Sequence, residues 1–400
     1  MNKNKFVFVI DSFLNIFSTA LPLLVLQLIS MPIAASKLGT ENFGIVITVI
    51  SILTVIGFPI GNVLNNIRLL RNDEYHKKGL KGDFNYLLVG SSLISAILMV
   101  LFSILFIDDM NYFNIFLLVL IVIFSIFKEY LIVSYRISLN FKGILFNNIF
   151  LSVGYAFGTW LFVLSGLWEF IYLVGLLISL IYIIATTELF TESINKTSMF
   201  KTTFKEFIIL YGSGLLKNFM SYADKIILLP LLGPKNVSIY YAASIIGKFA
   251  SMLFTPINSV ILSYIVKIDK INHKIFIKTL SVVSIVGVLG YFVTILISPY
   301  FLNFFYPLWA DQSLELIYVT SAAAIIGVLS SVFHPFNLRY NNLKWQVLMS
   351  GTNLIFFFIL AYFLTNWFGL IGFTISVLLS GIYILLFQMY IYFIVSDKRK

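Results

Sequence analysis

Leu38-Gly-Thr-Glu-Asn-Phe-Gly-Ile-Val-Ile47 and Leu232-Gly-Pro-Lys-Asn-Val-Ser-Ile-Tyr-Tyr241 decide how this chain is built. Each closes an apolar stretch with Leu-Gly, makes a short polar turn and opens another apolar stretch at once. A glycine just past the last helical turn takes the left-handed conformation that a Cβ resists. Both stretches therefore read as tight reversals between two helices. The second follows the first by about half of the 400 residues. A weaker pair of turns, at Gly166 and Gly369, has nearly the same separation. Between the copies lies the longest polar interruption, Thr186 to Glu206. The chain is expected to form an N-terminal half over 1–190, a linker over 191–204 and a C-terminal half over 205–400.

The halves are made for a bilayer. Hydrophobic residues are 60% of the chain, charged residues 11%, and the mean hydropathy is +0.98. A soluble domain carries about 25% charged residues, so too few remain here to cover a water-facing surface. A spanning helix needs about 20 mostly apolar residues. Twelve such runs are found: roughly 6–36, 44–66, 84–106, 112–138, 143–165 and 168–187, then 205–232, 237–266, 276–298, 314–336, 345–365 and 369–394. They are too long and too evenly apolar for barrel strands. The expected fold is all-α and polytopic, six spans to each half. Two six-span halves in one orientation are the pattern of parallel-repeat transporters.

The N-terminal apolar run, behind Lys3 and Lys5, passes Leu28 and is longer than the core of a signal peptide, so it is expected to be a retained first span. The chain has no cysteine, which leaves no disulfide framework and no thiolate chemistry. His76, His273 and His334 have no ligand-like spacing. No metal or cofactor is expected.

Basic residues orient the spans. With the N-terminus cytoplasmic, inside loops hold Arg68, Arg71, Lys77, Lys78, Lys81, Arg136, Lys142, Lys196, Lys201, Lys205, Lys267, Lys270, Lys274, Lys278, Arg339, Lys344 and both basic ends of the chain. Outside loops hold only Lys37 and Lys235, with Glu41, Asp108, Asp109, Glu169, Asp311 and Glu315. This obeys the positive-inside rule at nearly every loop and places both termini in the cytoplasm. The net charge of +10 follows from this topology and calls for no nucleic-acid partner.

Four lysines remain within spans: Lys128 in the fourth, Lys217 and Lys225 in the seventh, Lys248 in the eighth. Lys128, Lys217 and Lys248 fall near mid-membrane; Lys225 lies further out and Arg136 nearer the cytoplasm. Acidic neighbours are Glu129, Asp224 and, in the first span, Asp11. A charge at the bilayer centre costs about 2.5–3.5 kcal/mol on insertion scales, so these groups must face water or one another. Adjacent helical residues point about 100° apart, so Lys128–Glu129 and Asp224–Lys225 are not expected to pair within themselves. On the seventh span Lys217 and Asp224 share a face with Ser213, Ser221 and Tyr211 nearby, a polar stripe on an apolar helix. Two readings stand side by side. In one the charges neutralise each other locally; in the other they form a cationic cavity between the halves, suited to an anionic substrate such as a pyrophosphate.

Enzyme signatures fail. Gly212-Ser-Gly-Leu-Leu-Lys217 lacks the spacing, the hydroxyl residue and the preceding strand of a phosphate-binding loop, and reads as a small-residue packing patch. No His-Glu-x-x-His and no Gly-x-Ser-x-Gly occurs. Outside loops are too short to carry the catalytic residues of a glycan polymerase or transferase. The chain is expected not to be an enzyme.

The pattern resembles the polysaccharide repeat-unit flippases, O-antigen and capsule type, of the multidrug/oligosaccharidyl-lipid/polysaccharide exporter superfamily. Leu38 to Gly44 is similar to that family's turn into span two, and Gly57-Phe-Pro-Ile-Gly61 through Arg68 to the exit of that span. The block Ala223-Asp-Lys-Ile-Ile-Leu-Leu-Pro-Leu-Leu-Gly-Pro-Lys-Asn-Val-Ser-Ile-Tyr-Tyr-Ala-Ala243, followed by Lys248 and Pro256, carries most of the likeness. The resemblance implies two lobes in a V around a central cavity, in a bacterial inner membrane. It also implies an undecaprenyl-diphosphate-linked oligosaccharide as substrate, moved outward for lipopolysaccharide, capsule or exopolysaccharide synthesis, and a polysaccharide polymerase as partner. Substrate-binding residues are then Lys128, Lys217, Lys225, Lys248, Arg136 and Asp224. The alternatives are a cation-coupled small-molecule exporter of the same superfamily, a flippase for a peptidoglycan or teichoic acid precursor, and a membrane-bound polymerase.

Overall fold

A computed structural model of the chain describes residues 17–106, 111–265, 273–340 and 344–395, and among them regular structure is helical throughout. Asp11, Asp108, Asp109, Lys267, Lys270 and the basic C-terminus lie outside the described residues, as do the side chains of Pro256, His273 and His334. The helices are α1 (Phe17–Lys77), α2 (Asp83–Phe106), α3 (Tyr112–Leu131), the short α4 (Val133–Ile137), α5 (Phe141–Ser165) and α6 (Glu169–Thr186). They continue with α7 (Phe200–Leu232), α8 (Pro234–Ile265), α9 (His273–Phe305), the short α10 (Ala310–Leu314), α11 (Ile317–Tyr340) and α12 (Lys344–Tyr390).

The four glycines of the repeat all have positive φ, a region that a Cβ disfavours. Gly39 has φ 73°, Gly233 80°, Gly166 80° and Gly369 58°. Gly39 and Gly369 interrupt α1 and α12 without an intervening loop, so each of those helices is two spans joined end to end.

By length and apolarity alone, seven described helices can cross a membrane, or eight if the bent pair Pro307–Leu314 and Ile317–Phe333 forms one span. Two of the seven are the double-length α1 and α12. Charged residues lower the apolarity of α7, which carries Lys217, Asp224 and Lys225; α8 carries Lys248. Counting the breaks at Gly39 and Gly369, the long described helices give twelve segments in the order of the twelve runs read from the sequence, with ends that differ by up to about ten residues and with the start of the first run outside the described residues. The protein is an all-α, multi-pass membrane protein.

The chain forms two compact units. One comprises Met1–Lys37 and Val49–Tyr222, the other Leu38–Thr48 and Ala223–Lys400. In the first unit α5 and α6 pack backbone to backbone. A Cβ on Gly154 would stand 2.6 Å from the Gly175 Cα, and one on Gly158 would stand 2.3 Å from the Phe170 carbonyl oxygen. Small residues give this closeness because lipid offers no hydrophobic drive for helix pairing, so packing and hydrogen bonds must supply it. Ser179 Oγ hydrogen-bonds Asn147 Oδ1 at 2.8 Å across the pair. Glu169, expected in an outside turn, is the first residue of α6 and is wholly buried.

The stretch 187–199 is bound tightly to the first unit. Arg68 donates to both carboxylate oxygens of Glu192 at 2.9 and 2.7 Å, and its guanidinium lies 5.0 Å from the Phe84 ring centroid. Asn85 Nδ2 reaches the Glu192 carbonyl at 2.8 Å. The buried Asp83 accepts from the Thr197 backbone N–H at 2.6 Å and from Tyr75 Oη at 2.7 Å.

In the second unit, Phe43 is buried among Tyr241, Trp309 and Tyr306, with centroids 5.5, 5.6 and 6.2 Å away. Ser238 Oγ donates to the Thr40 carbonyl at 2.5 Å. In α12, Ser380 Oγ hydrogen-bonds Asn353 Oδ1 at 2.9 Å, the counterpart half a chain later of the Asn147–Ser179 bond.

Gly158→Ala should destabilise the detergent-solubilised protein by about 1–3 kcal/mol, the scale of overpacking a close contact. Gly212→Ala, where a Cβ meets nothing within 4 Å, should leave the thermal midpoint level or raise it, because alanine is the better helix former. Thermal unfolding of the two variants side by side checks both.

Candidate functional site

In the first unit the site grows from Gly61-Asn-Val-Leu-Asn-Asn-Ile-Arg68 in α1. Gly61 lets that helix lie against α3, since a Cβ there would come 2.6 Å from both Ile126 O and Glu129 Cβ. The asparagines recur at helical spacing. Asn65 Nδ2 donates to the Glu129 carbonyl at 2.9 Å and Asn66 Nδ2 to Asn62 Oδ1 at 3.0 Å. Arg136, on α4, donates to Asn65 Oδ1 and, at 3.1 Å, to Asn66 Oδ1. Lys128 Nζ is 2.8 Å from Glu129 Oε1 in this same region of polar groups. The three asparagines were not singled out in the sequence, although polar residues three and four apart on an apolar span were the visible signal.

Lys217 is differently placed. It lies on α7 between Ser213 and Ser221 at four-residue steps, and all three side chains are exposed. Ser213 and Ser221 turn their hydroxyls to backbone carbonyls of their own helix, while Lys217 has no ion-pair or hydrogen-bond partner among the described residues. An unpaired ammonium is not tolerated by hydrocarbon, so this stripe needs water or a ligand in front of it.

In the second unit Asp224 is the hub. Its Oδ2 accepts from Lys225 Nζ at 2.6 Å and from Tyr240 Oη at 2.9 Å, and its Oδ1 accepts the Lys225 backbone N–H at 3.0 Å. The ammonium of Lys225 also lies 5.6 Å from the Tyr240 ring centroid. Tyr240 is in turn set edge-on to Phe373 at 5.5 Å. Lys225 is only 2% exposed. Lys248, on α8, is exposed and is an electrostatic neighbour of both Lys225 and Asp224.

These contacts correct one expectation. Lys128 pairs with Glu129 and Lys225 with Asp224, each with the adjacent residue on its own helix. The 100° offset separates the Cα–Cβ directions, but the four-carbon lysine stem is long and flexible enough to curl round the helix to its neighbour. The six predicted residues therefore sort into two groups. Lys128, Lys225, Asp224 and Arg136 are committed to protein partners, Lys248 sits in the electrostatic field of Asp224 and Lys225, and the exposed Lys217 has no ion-pair partner among the described residues.

The commitment of Lys225 gives a stability prediction. Asp224→Asn leaves a buried ammonium without its counter-charge and should cost about 3–5 kcal/mol. Adding Lys225→Met to it should recover most of the loss, because removing a whole buried pair is far milder than removing one partner. Lys217→Gln should leave stability unchanged. Thermal midpoints of the purified variants report all three.

No protein-family model matches the sequence, and no curated protein does. Solved structures match along nearly its whole length. The lipid II flippase MurJ, in an inward closed conformation, aligns with a TM-score of 0.72 at 16% identity, over 96% of this chain and 87% of that one. A MATE transporter in the straight conformation aligns with a TM-score of 0.66 at 12% identity, over 98% and 96%. An outward-facing multidrug resistance MATE family transporter of the MOP superfamily aligns with a TM-score of 0.63 at 12% identity, over 97% and 94%. At such identities the likeness is one of fold alone: this chain shares the fold of these solved transporter structures along nearly its whole length.

Proposed function

We propose that the protein is a flippase of a bacterial cytoplasmic membrane that carries an undecaprenyl-diphosphate-linked oligosaccharide repeat unit from the inner to the outer leaflet. The carried glycan would feed O-antigen, capsule or exopolysaccharide synthesis. The observation that carries the reading is the uncompensated charge: within the spans, Lys217 and Lys248 are exposed while the acids Glu129 and Asp224 are each held by a lysine. A membrane site with spare cations and occupied carboxylates suits a diphosphate, which an ammonium meets as a point charge. Among the fold's neighbours, the lipid II flippase moves a lipid-linked molecule.

In this reading Lys217 and Lys248 attract the diphosphate. Asp224, Tyr240 and Lys225 hold the surrounding helices and fix the local field, and Asn62, Asn65 and Asn66 with Arg136 offer hydrogen bonds to polar parts of the cargo. The protein presents these groups to each side in turn by alternating access, with the polyprenyl tail remaining in lipid.

A second reading is an exporter of small molecules, since MATE transporters share the fold. A cationic cargo would need a carboxylate free to receive it. Glu129 and Asp224 are already engaged, which favours the anionic cargo, while Glu169, buried at the start of α6 and paired with no lysine or arginine among the described residues, is the carboxylate a cationic cargo would need.

The test is the lipid-linked glycan pool of a deletion strain, assayed for sidedness. Accumulation of undecaprenyl-diphosphate oligosaccharide on the cytoplasmic leaflet, with loss of surface polymer, is expected. Repeat units that still arrive outside but stay unpolymerised would assign the protein to polymerisation instead. Complementation with Lys217→Ala or Lys248→Ala should reduce translocation about tenfold or more, the worth of one charge-assisted contact. Lys128→Gln should do less to translocation and more to stability.

A further inference from the structure

One end of the second unit holds a cleft of about 340 Å³ between three turns: the start of α8, the bend between α10 and α11, and the Gly369 reversal in α12. Lys235 stands on one wall, Gln312 and Glu315 on another, and Leu316, Phe368 and Ile371 supply apolar surface. Lys235 and Glu315 line the same cleft and are both exposed, yet they form no ion pair with each other or with any described residue. Gln312 likewise makes no side-chain hydrogen bond. Phe368 is 61% exposed and Ile371 45%, with Trp367 beside them at 69%.

The position fixes the surroundings. Gly233 and Gly369 are where spans reverse, so the cleft lies at the level where hydrocarbon gives way to headgroups, and exposed Trp and Phe are usual there. A ligand for it must present an anion to Lys235 and a cation to Glu315 within one cleft, and must continue into apolar chains. An anionic lipid would meet Glu315 as a repulsion, and a neutral sugar would leave both charges unanswered and gain little from an aliphatic wall.

We propose that this cleft binds a zwitterionic phospholipid with a primary ammonium headgroup, of the phosphatidylethanolamine type. The phosphate lies against Lys235, the ammonium against Glu315 with Gln312 as a hydrogen-bonding neighbour, and the acyl chains run along Phe368 and Ile371. Neither Lys217 nor Lys248 lines this cleft, and the proposal does not depend on what the protein transports.

The test is lipid retention by the full chain, measured by native mass spectrometry after release from nanodiscs of phosphatidylethanolamine mixed with phosphatidylglycerol or phosphatidylcholine. Phosphatidylethanolamine should be retained in preference by roughly fivefold, the scale of one partly exposed ion pair. Glu315→Gln should abolish the preference, and Lys235→Gln should lower retention. Lys142→Gln, an exposed lysine of the first unit, should change neither. Thermal midpoints equal to that of the parent would show that the exposed substitutions leave the fold intact. Equal retention of the three lipids by the parent chain would overturn the proposal, as would a preference that survives both substitutions. Displacement of the bound lipid by soluble oligosaccharide would overturn it too, and would make the cleft a glycan subsite.

Discussion

A charge cannot be left alone in hydrocarbon, and the arrangement of this protein's polar side chains follows from that cost. Insertion scales charge about 2.5–3.5 kcal/mol for each lysine or acid at mid-membrane. The protein meets the cost in two ways. Lys128 and Lys225 are neutralised by the carboxylate next to them in the chain, and Arg136 is held by two asparagine side chains. Lys248 is set beside Asp224 and Lys225, while the exposed Lys217 has no ion-pair partner among the described residues and is left to water or a ligand. Paired and unpaired charges are thereby separated, although both sets lie on membrane helices.

The same economy of polar groups shapes helix packing. Serine and asparagine hydrogen bonds tie helices together inside each unit. The bonds of Asn147 with Ser179 and of Asn353 with Ser380 occupy corresponding places in the two sequence halves. Hydrogen bonds of this sort between membrane helices are individually modest, on the order of 0.6–2 kcal/mol, but they specify which faces meet. Where backbones come closest, as between α5 and α6, glycine removes the side chain that would hold them apart.

Outside the spans a different logic applies. The polar stretch between the sequence halves is secured by the bidentate Arg68–Glu192 pair and by Asp83, whose carboxylate gathers a backbone N–H and a tyrosine hydroxyl. Such a pair contributes chiefly by making its loss costly, since either partner alone would be a buried, unanswered charge.

The sequence by itself determined the solvent, the spans and the internal repeat. Composition excludes a water-facing surface, apolar run length counts helices, and Gly39, Gly166, Gly233 and Gly369 announce the reversals because a left-handed residue without a Cβ is a local requirement. It also located the charged residues within the spans, because an ionisable group is conspicuous in any apolar run. What it misjudged was pairing: Lys128 with Glu129 and Lys225 with Asp224 were read as pointing apart, since helical periodicity tracks Cβ directions and says nothing of where a long side chain ends. Tertiary structure alone decided that Tyr240 completes the Asp224 hub, that the α1 asparagines receive Arg136, and that Glu169 is buried. Each depends on side chains brought together from distant parts of the chain, and no local rule of sequence encodes which of them will meet.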